Sequence, residues 1–232
     1  MLVLPSSLGT TTELWDRNVG QWAGRFRPIR YDQRGRASVD ELGRDLVELL
    51  DESGAERASI CGLSLGGATA MWVAANAPER VDRLVLACTS ARFGEPAQWL
   101  ERAATVREVG LEPIADSIVA RWFTPAAPPE LVERFRTALA ATPPEDYARL
   151  CEALAGWDFR EQLGEIRAPT LVVAGAEDPA TPPDHARLLA DRIPDASLAV
   201  LEGAAHLANV ERPEAFSRLV ADHLTAAPVE AA

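Results

Sequence analysis

Six apolar runs of strand length, at residues 2–5, 28–31, 58–61, 84–88, 170–174 and 198–201, constrain this chain most, because helical periodicity fills most of the intervals between them. The segment 39–53, for example, sets Leu42, Leu46, Leu49 and Leu50 on one helical face. Strand and helix in alternation predict a mostly parallel sheet with right-handed crossovers and flanking helices, an α/β architecture that gathers ligands at the carboxyl ends of its strands. The alternation stops between residues 92 and 167, where the pattern predicts helices over 96–109, 111–121, 130–141 and 145–156, separated by Pro125, Pro128-Pro129 and Pro143-Pro144. We therefore expect a core of residues 1–91 and 168–225 and a helical cap of residues 92–167 over the carboxyl edge of the sheet. Residues 226–232 have the composition of a tail or linker.

Gly62-Leu63-Ser64-Leu65-Gly66 falls where the third apolar run meets a helical stretch over 66–77 that Pro78 stops. A Gly-x-Ser-x-Gly turn of this kind is so tight that a β-carbon at either outer glycine would crowd the neighbouring strand or helix, and the serine sits strained at its apex. The context predicts a nucleophile elbow with Ser64 as the exposed hydroxyl.

A length of 232 residues allows one substantial core, and 47% hydrophobic with 25% charged residues is ordinary globular composition. No apolar run approaches the roughly 20 residues that span a bilayer, and Met1-Leu2-Val3-Leu4-Pro5 lacks the basic flank and apolar length of a signal peptide. The formal net charge of −12 argues against nucleic acid or an anionic membrane as partner and requires a local arginine cluster for any anionic substrate. Cys61, Cys88 and Cys151 are odd in number, lie in apolar surroundings and show no metal-ligand spacing, so we expect reduced thiols, no metal and a cytoplasmic protein.

A serine hydroxyl attacks only when a base takes its proton and an acid orients that base. In hydrolases built on such sheets the acid and the histidine follow the serine in that order. Of three histidines, His185 lies beside Asp184 at the start of a helical stretch, and His223 lies among the apolar residues of the terminal helix. His206, in the small-residue loop Gly203-Ala204-Ala205-His206-Leu207 after the last strand, is the expected base. The preceding strand ends in Glu177-Asp178-Pro179, and Asp178 is the expected acid because Glu177 more naturally faces solvent. The strand ending in Cys88-Thr89-Ser90 offers no carboxylate at the alternative position. Two N–H groups must receive the oxyanion, and the expected donors are Leu65, directly after the nucleophile, and Leu8 in the loop Pro5-Ser6-Ser7-Leu8-Gly9-Thr10. Arg34, in the turn Asp32-Gln33-Arg34-Gly35, is expected to brace loops rather than to do chemistry.

With these residues placed, the chain resembles the 3-oxoadipate enol-lactonases of the α/β-hydrolase superfamily along nearly its whole length. The narrower matches are Ile118-Val119-Ala120-Arg121-Trp122-Phe123-Thr124-Pro125 and Ala176-Glu177-Asp178-Pro179-Ala180-Thr181-Pro182-Pro183. Broader matches are the elbow, Ser7-Leu8-Gly9-Thr10 with Leu14-Trp15-Asp16, and Ala204-Ala205-His206-Leu207-Ala208-Asn209-Val210-Glu211. The resemblance implies opening of β-ketoadipate enol-lactone to β-ketoadipate in aromatic-compound breakdown, with no metal or organic cofactor. The lactone is a small anion, so Arg121, with Trp122 as pocket wall, is the expected carboxylate site.

The chain departs from the family pattern on one side of the sheet. The family usually opens with two further strands, and it has a longer loop after the Arg34-Gly35 turn. Their loss would leave the strand near Ile29 as an edge able to pair with another chain in an oligomer. The Ala/Pro-rich tail leaves open a junction to a longer polypeptide, for which the pathway's neighbouring carboxymuconolactone decarboxylase is the candidate, and the true start codon is also left open. A general carboxylesterase or cofactor-free perhydrolase with the same triad is the first rival function, and a non-catalytic ligand-binding protein of the same fold is the second.

Overall fold

The computed structural model describes residues 1–33 and 35–226; Arg34 and the tail beyond Ala226 lie outside the described residues. Its elements run in the order β1 (Leu2–Pro5), α1 (Asp16–Trp22), β2 (Pro28–Tyr31), α2 (Val39–Glu52), β3 (Ala58–Leu63), α3 (Leu65–Asn76) and β4 (Val81–Ala87). They continue with α4 (Pro96–Val109), α5 (Ala115–Val119), α6 (Pro129–Ala140), α7 (Pro144–Ala155), β5 (Thr170–Gly175), α8 (Pro183–Arg192), β6 (Ala196–Leu201), α9 (Ala208–Glu211) and α10 (Pro213–Thr225). The strands form one sheet of order β2-β1-β3-β4-β5-β6. Every pairing is parallel, from Leu2↔Pro28 at one side to Gly175↔Leu201 at the other.

Burial follows the apolar pattern. The three strands β1, β3 and β5 are buried along their whole length, as expected for strands covered on both faces by helices. The edge strands are more open, and Leu198 and Val200 of β6 are exposed. Ser38 caps α2 by accepting from the Glu41 N–H at 3.1 Å, while the Glu41 carboxylate accepts from the Ala37 N–H, so the helix starts where the sequence pattern predicts.

Between β4 and β5 the chain is helical, and α4 packs on α7. The single helix expected over 111–121 is instead a short 3-10 turn at Glu112–Ile114 followed by the five-residue α5. Gly110 at φ 75° ends α4, and the chain then makes this single 3-10 turn, holding Pro113 where a missing N–H costs little, before α5 begins at Ala115. No helix among the described residues is long and apolar enough to cross a membrane. The three cysteines are free and buried, and burial pushes the Cys151 thiol up to about 12.

Candidate active site

Ser64 joins β3 to α3 at φ 57°, ψ −115°, one of two non-glycine residues with positive φ among those described. A conformation of this kind costs about 1–3 kcal/mol and persists only where the surroundings enforce it. Those surroundings are specific. A β-carbon on Gly62 would land on the Gly66 carbonyl, and one on Gly66 would land on the carbonyls of Pro5 and Ser6. One on Gly67 would meet the Thr89 side chain at 2.6 Å. The Ser64 N–H donates to the Ala87 carbonyl at 2.9 Å, and the Thr89 hydroxyl donates to the Ser64 carbonyl at 2.6 Å. Ala87 and Thr89, at the end of the strand that offered no acid, thus brace the Ser64 turn.

The same crowding brings the first loop alongside. Because Gly66 touches the end of β1, residues 6–10 start beside Ser64. The Ser7 N–H is taken by the Thr10 hydroxyl at 3.1 Å, and that hydroxyl donates back to the Ser7 carbonyl at 2.8 Å. The N–H groups of Leu8 and Leu65 have no backbone or side-chain acceptor among the described residues. Leu65 heads a twelve-residue helix, whose N-terminal amides favour negative charge.

Asp178 and His206 are brought together by the ends of β5 and β6. A β-carbon on Gly175 would press on the Ala204 and Ala205 carbonyls, so only glycine lets the two loops approach. The Glu177 N–H then donates to the Ala204 carbonyl at 3.0 Å, leaving the Glu177 side chain exposed and Asp178 buried. His206 Nδ1 lies 2.8 Å from Asp178 Oδ2. Asp178 Oδ1 accepts from the N–H groups of Ala180 (2.7 Å) and Thr181 (3.0 Å), and Oδ2 accepts from the Thr181 hydroxyl (2.7 Å). Burial by itself raises the Asp178 carboxyl; the His206 ring and the Thr181 donors outweigh it and hold the group below its ordinary value. An ionised carboxylate only accepts, so Nδ1 carries the proton and Nε2 is left as a base.

Ser64, Asp178 and His206 are 6%, 3% and 4% exposed. Ser64 and His206 line one cavity with Ser7, Leu8, Ala180 and Thr181 beneath and Phe93, Trp99, Arg102, Ile118, Arg121, Trp122, Tyr147 and Leu154 above. The upper residues come from the helical segment between β4 and β5. The lining holds two arginines and no carboxylate, in a chain of net charge −12. Arg121 reaches the Pro179 carbonyl at 3.4 Å, and burial followed by the charge of Arg102 lowers its pKa. His185 and His223 stay outside this cavity; His223 Nε2 lies 3.2 Å from the Pro169 carbonyl.

Sequence reasoning assigned no role to Glu211, which ties this roof to the histidine loop. Its Oε1 accepts from the Thr124 N–H (2.9 Å) and hydroxyl (2.8 Å), and its Oε2 accepts from the Ala205 N–H (2.7 Å). Beside it the Leu207 N–H donates to the Trp122 carbonyl at 2.9 Å. The sequence marks no role for Arg102 or Tyr147, and for Thr181 only its place three residues after Asp178.

A parallel sheet, a strained serine between strand and helix, and a histidine–carboxylate pair on later loops define a class. The chain belongs to the α/β-hydrolase fold family, whose model matches residues 7–213. It is 41% identical over 231 residues to 3-oxoadipate enol-lactonase 2 of Acinetobacter baylyi, covering 94% of this chain and 86% of that relative. Among solved structures, the enol-lactonase from Burkholderia xenovorans LB400 superimposes with a TM-score of 0.93 at 36% identity, over 97% of this chain and 91% of the other. A hydrolase from Pseudomonas aeruginosa PA01 gives 0.91 at 40% identity, over 97% and 89%.

Proposed function

We propose that the chain is a serine hydrolase that opens 3-oxoadipate enol-lactone to 3-oxoadipate in the catabolism of aromatic compounds. The observation that carries this reading is one cavity holding Ser64 and His206 under two arginines with no lining carboxylate, beside a family likeness to enol-lactonases. An ester hydrolase needs the first pair, and an anionic lactone needs the second.

In this mechanism Ser64 Oγ attacks the lactone carbonyl and His206 Nε2 takes its proton, with Asp178 stabilising the imidazolium through the 2.8 Å contact at Nδ1. The N–H groups of Leu8 and Leu65 hold the tetrahedral oxyanion, and each such donor is worth roughly 3 kcal/mol of transition-state stabilisation. Collapse breaks the ring C–O bond and expels an enolate, a better leaving group than an alkoxide. The imidazolium proton neutralises the enolate, and the enol becomes the ketone. Water, deprotonated by His206, then attacks the acyl-serine; Ser64 leaves with a proton and a second carboxylate is formed. Arg121 binds the carboxylate that the substrate already carries, with Trp122 as wall. A cytoplasmic location suits the three free cysteines.

Purified protein should consume the enol-lactone with turnover, and Ser64→Ala should lose about 10⁴-fold or more in kcat. Arg121→Ala should raise KM for the lactone about tenfold or more while sparing a neutral aryl ester. Lactone consumption no faster than that by Ser64→Ala would refute the reading, and equal loss on both substrates would remove Arg121 from binding.

A further inference from the structure

All 23 permanently charged cationic side chains are arginines, the chain having no lysine, so residue type does not mark out a binding cation; surroundings do. Most lie against carboxylates. Arg107 of α4 meets both Glu145 and Glu152, Arg136 meets Glu112 and Asp116, and Arg149 meets Glu145. Arg102, five residues before Arg107 on the same helix, has no carboxylate partner among the described residues. It is half-buried, its guanidinium lies 4.8 Å from the centre of the Trp99 ring, and it lines the cavity above Ser64. Arg121, the other lining cation, likewise has no carboxylate partner among the described residues.

The two arginines are held differently. Arg121 is tied to the acid loop through the Pro179 carbonyl. Arg102 stands beside Tyr147, whose raised hydroxyl pKa has burial as its main cause and the Arg102 charge as a counterweight. The Tyr147 ring in turn packs on Gly9, the neighbour of Leu8, where a β-carbon would meet it at 2.9 Å. One cation therefore belongs to the acid side of the cavity and the other to the Leu8 side. The Arg102 charge lowers the affinity of Arg121 for its proton, and neither arginine is paired with a carboxylate among the described residues, so an anionic ligand in this cavity meets two unpaired cations.

We propose that Arg102 is a second substrate-binding residue, and that with Arg121 it fits this cavity to a short linear dicarboxylate. This rests on the lactonase reading, because opening a lactone that carries one carboxylate creates a second at the acyl carbon, next to Ser64. Arg121 holds the carboxylate present from the start, and Arg102 faces the second carboxylate, which forms when water releases the acyl group from Ser64. A guanidinium held over the Trp99 ring is positioned before that charge appears, so it contributes more to the dicarboxylate state than to the closed lactone.

The test uses Ser64→Ala protein, which binds without turnover, titrated calorimetrically with adipate and with monomethyl adipate. Adipate should bind about tenfold or more tightly than its monoester, the worth of one charge-assisted hydrogen-bonded contact. Adding Arg102→Gln should bring adipate to the monoester's affinity, and Arg102→Lys, which keeps the charge without the planar fork, should fall between. A Tm and far-UV circular dichroism spectrum of Arg102→Gln matching those of the parent show that the protein still folds. An adipate-to-monoester ratio unchanged by Arg102→Gln, or absent before it, overturns the proposal. Separately measured enol-lactone turnover keeps the two readings apart: adipate selectivity without turnover sinks the lactonase reading alone, and turnover without selectivity sinks this one alone.

Discussion

The floor and the roof of the cavity are built by different means. On the floor, position is enforced by backbone crowding: Gly62, Gly66, Gly67 and Gly175 each leave no room for a β-carbon, and Asp178 takes three hydrogen bonds from its own loop before it meets His206. The roof is built from side chains of helices and a connecting segment, among them Trp99, Arg102, Arg121, Trp122 and Tyr147. Rigid floors suit bond making, because small displacements of reacting groups are expensive. A side-chain roof can change shape and charge without disturbing them. Damage to the floor should therefore slow every ester, and damage to the roof should change which ester is taken.

Among variants that keep Ser64, the largest effect should come from Asp178→Asn. In the proposed mechanism, loss of the carboxylate leaves His206 free to adopt the wrong tautomer, and we expect kcat to fall about 10³- to 10⁴-fold on the enol-lactone and on an aryl ester alike. A loss confined to the lactone would break the division between floor and roof. The same carboxyl carries a pH signature. Its folded pKa is depressed, so its stabilising contribution is complete above the ordinary carboxylate value of about 4 and is lost as pH falls through the lower folded value. The Tm difference between wild type and Asp178→Asn should be level from about pH 5 upward and shrink below about pH 4.

Glu211 joins the two regions and should give the intermediate effect. In Glu211→Gln one of the donors now bound by carboxylate, at Thr124 or at Ala205, faces an NH₂ instead of an oxygen. The lost charge-assisted bond is worth about 1.5–3 kcal/mol, and part of it should appear as a roughly tenfold fall in kcat/KM. Steady-state kinetics on lactone and aryl ester locate the damage. Loss on both places it at the His206 loop, and a rise in KM for the lactone alone places it at Arg121 and Trp122.

The contrast between floor and roof is also a contrast in what the sequence discloses. Strands β1 and β2 fall where their apolar runs fall, whereas β3, β4 and β6 are longer than their runs because pairing with a neighbour, not composition, sets where a strand ends. On the floor, Ser64, Asp178 and His206 stand at strand ends inside short turns of small residues, and that local setting can be read from the chain. Thr89 could not be read in this way, because its bond to the Ser64 carbonyl exists only once β3 and β4 are paired. The roof is harder still. The helix expected over 111–121 is a 3-10 turn followed by the five-residue α5, and the residues of α4 that face the cavity are separated from those that face solvent only by packing against α7.

Arg102 and Arg107 sharpen that last point and give the smallest predicted effect. They occupy one helix, share a side-chain type and are flanked by similar residues, so the sequence gives no ground for treating them differently. Folding places Glu145 and Glu152 of α7 against Arg107, at 2.9 Å for the Glu145 contact, and places Trp99 and the cavity against Arg102. Arg107 holds the Glu145 carboxyl down to about 2, yet both partners face solvent, where water and salt screen most of the attraction. Arg107→Ala should shift Tm by about 2 °C or less at physiological salt and leave kcat/KM on lactone and aryl ester unchanged. A lactone-specific loss in Arg107→Ala as large as that in Arg121→Ala would mean that positive charge anywhere on this helix serves the substrate, and the roof would then act through its overall field rather than through fixed contacts.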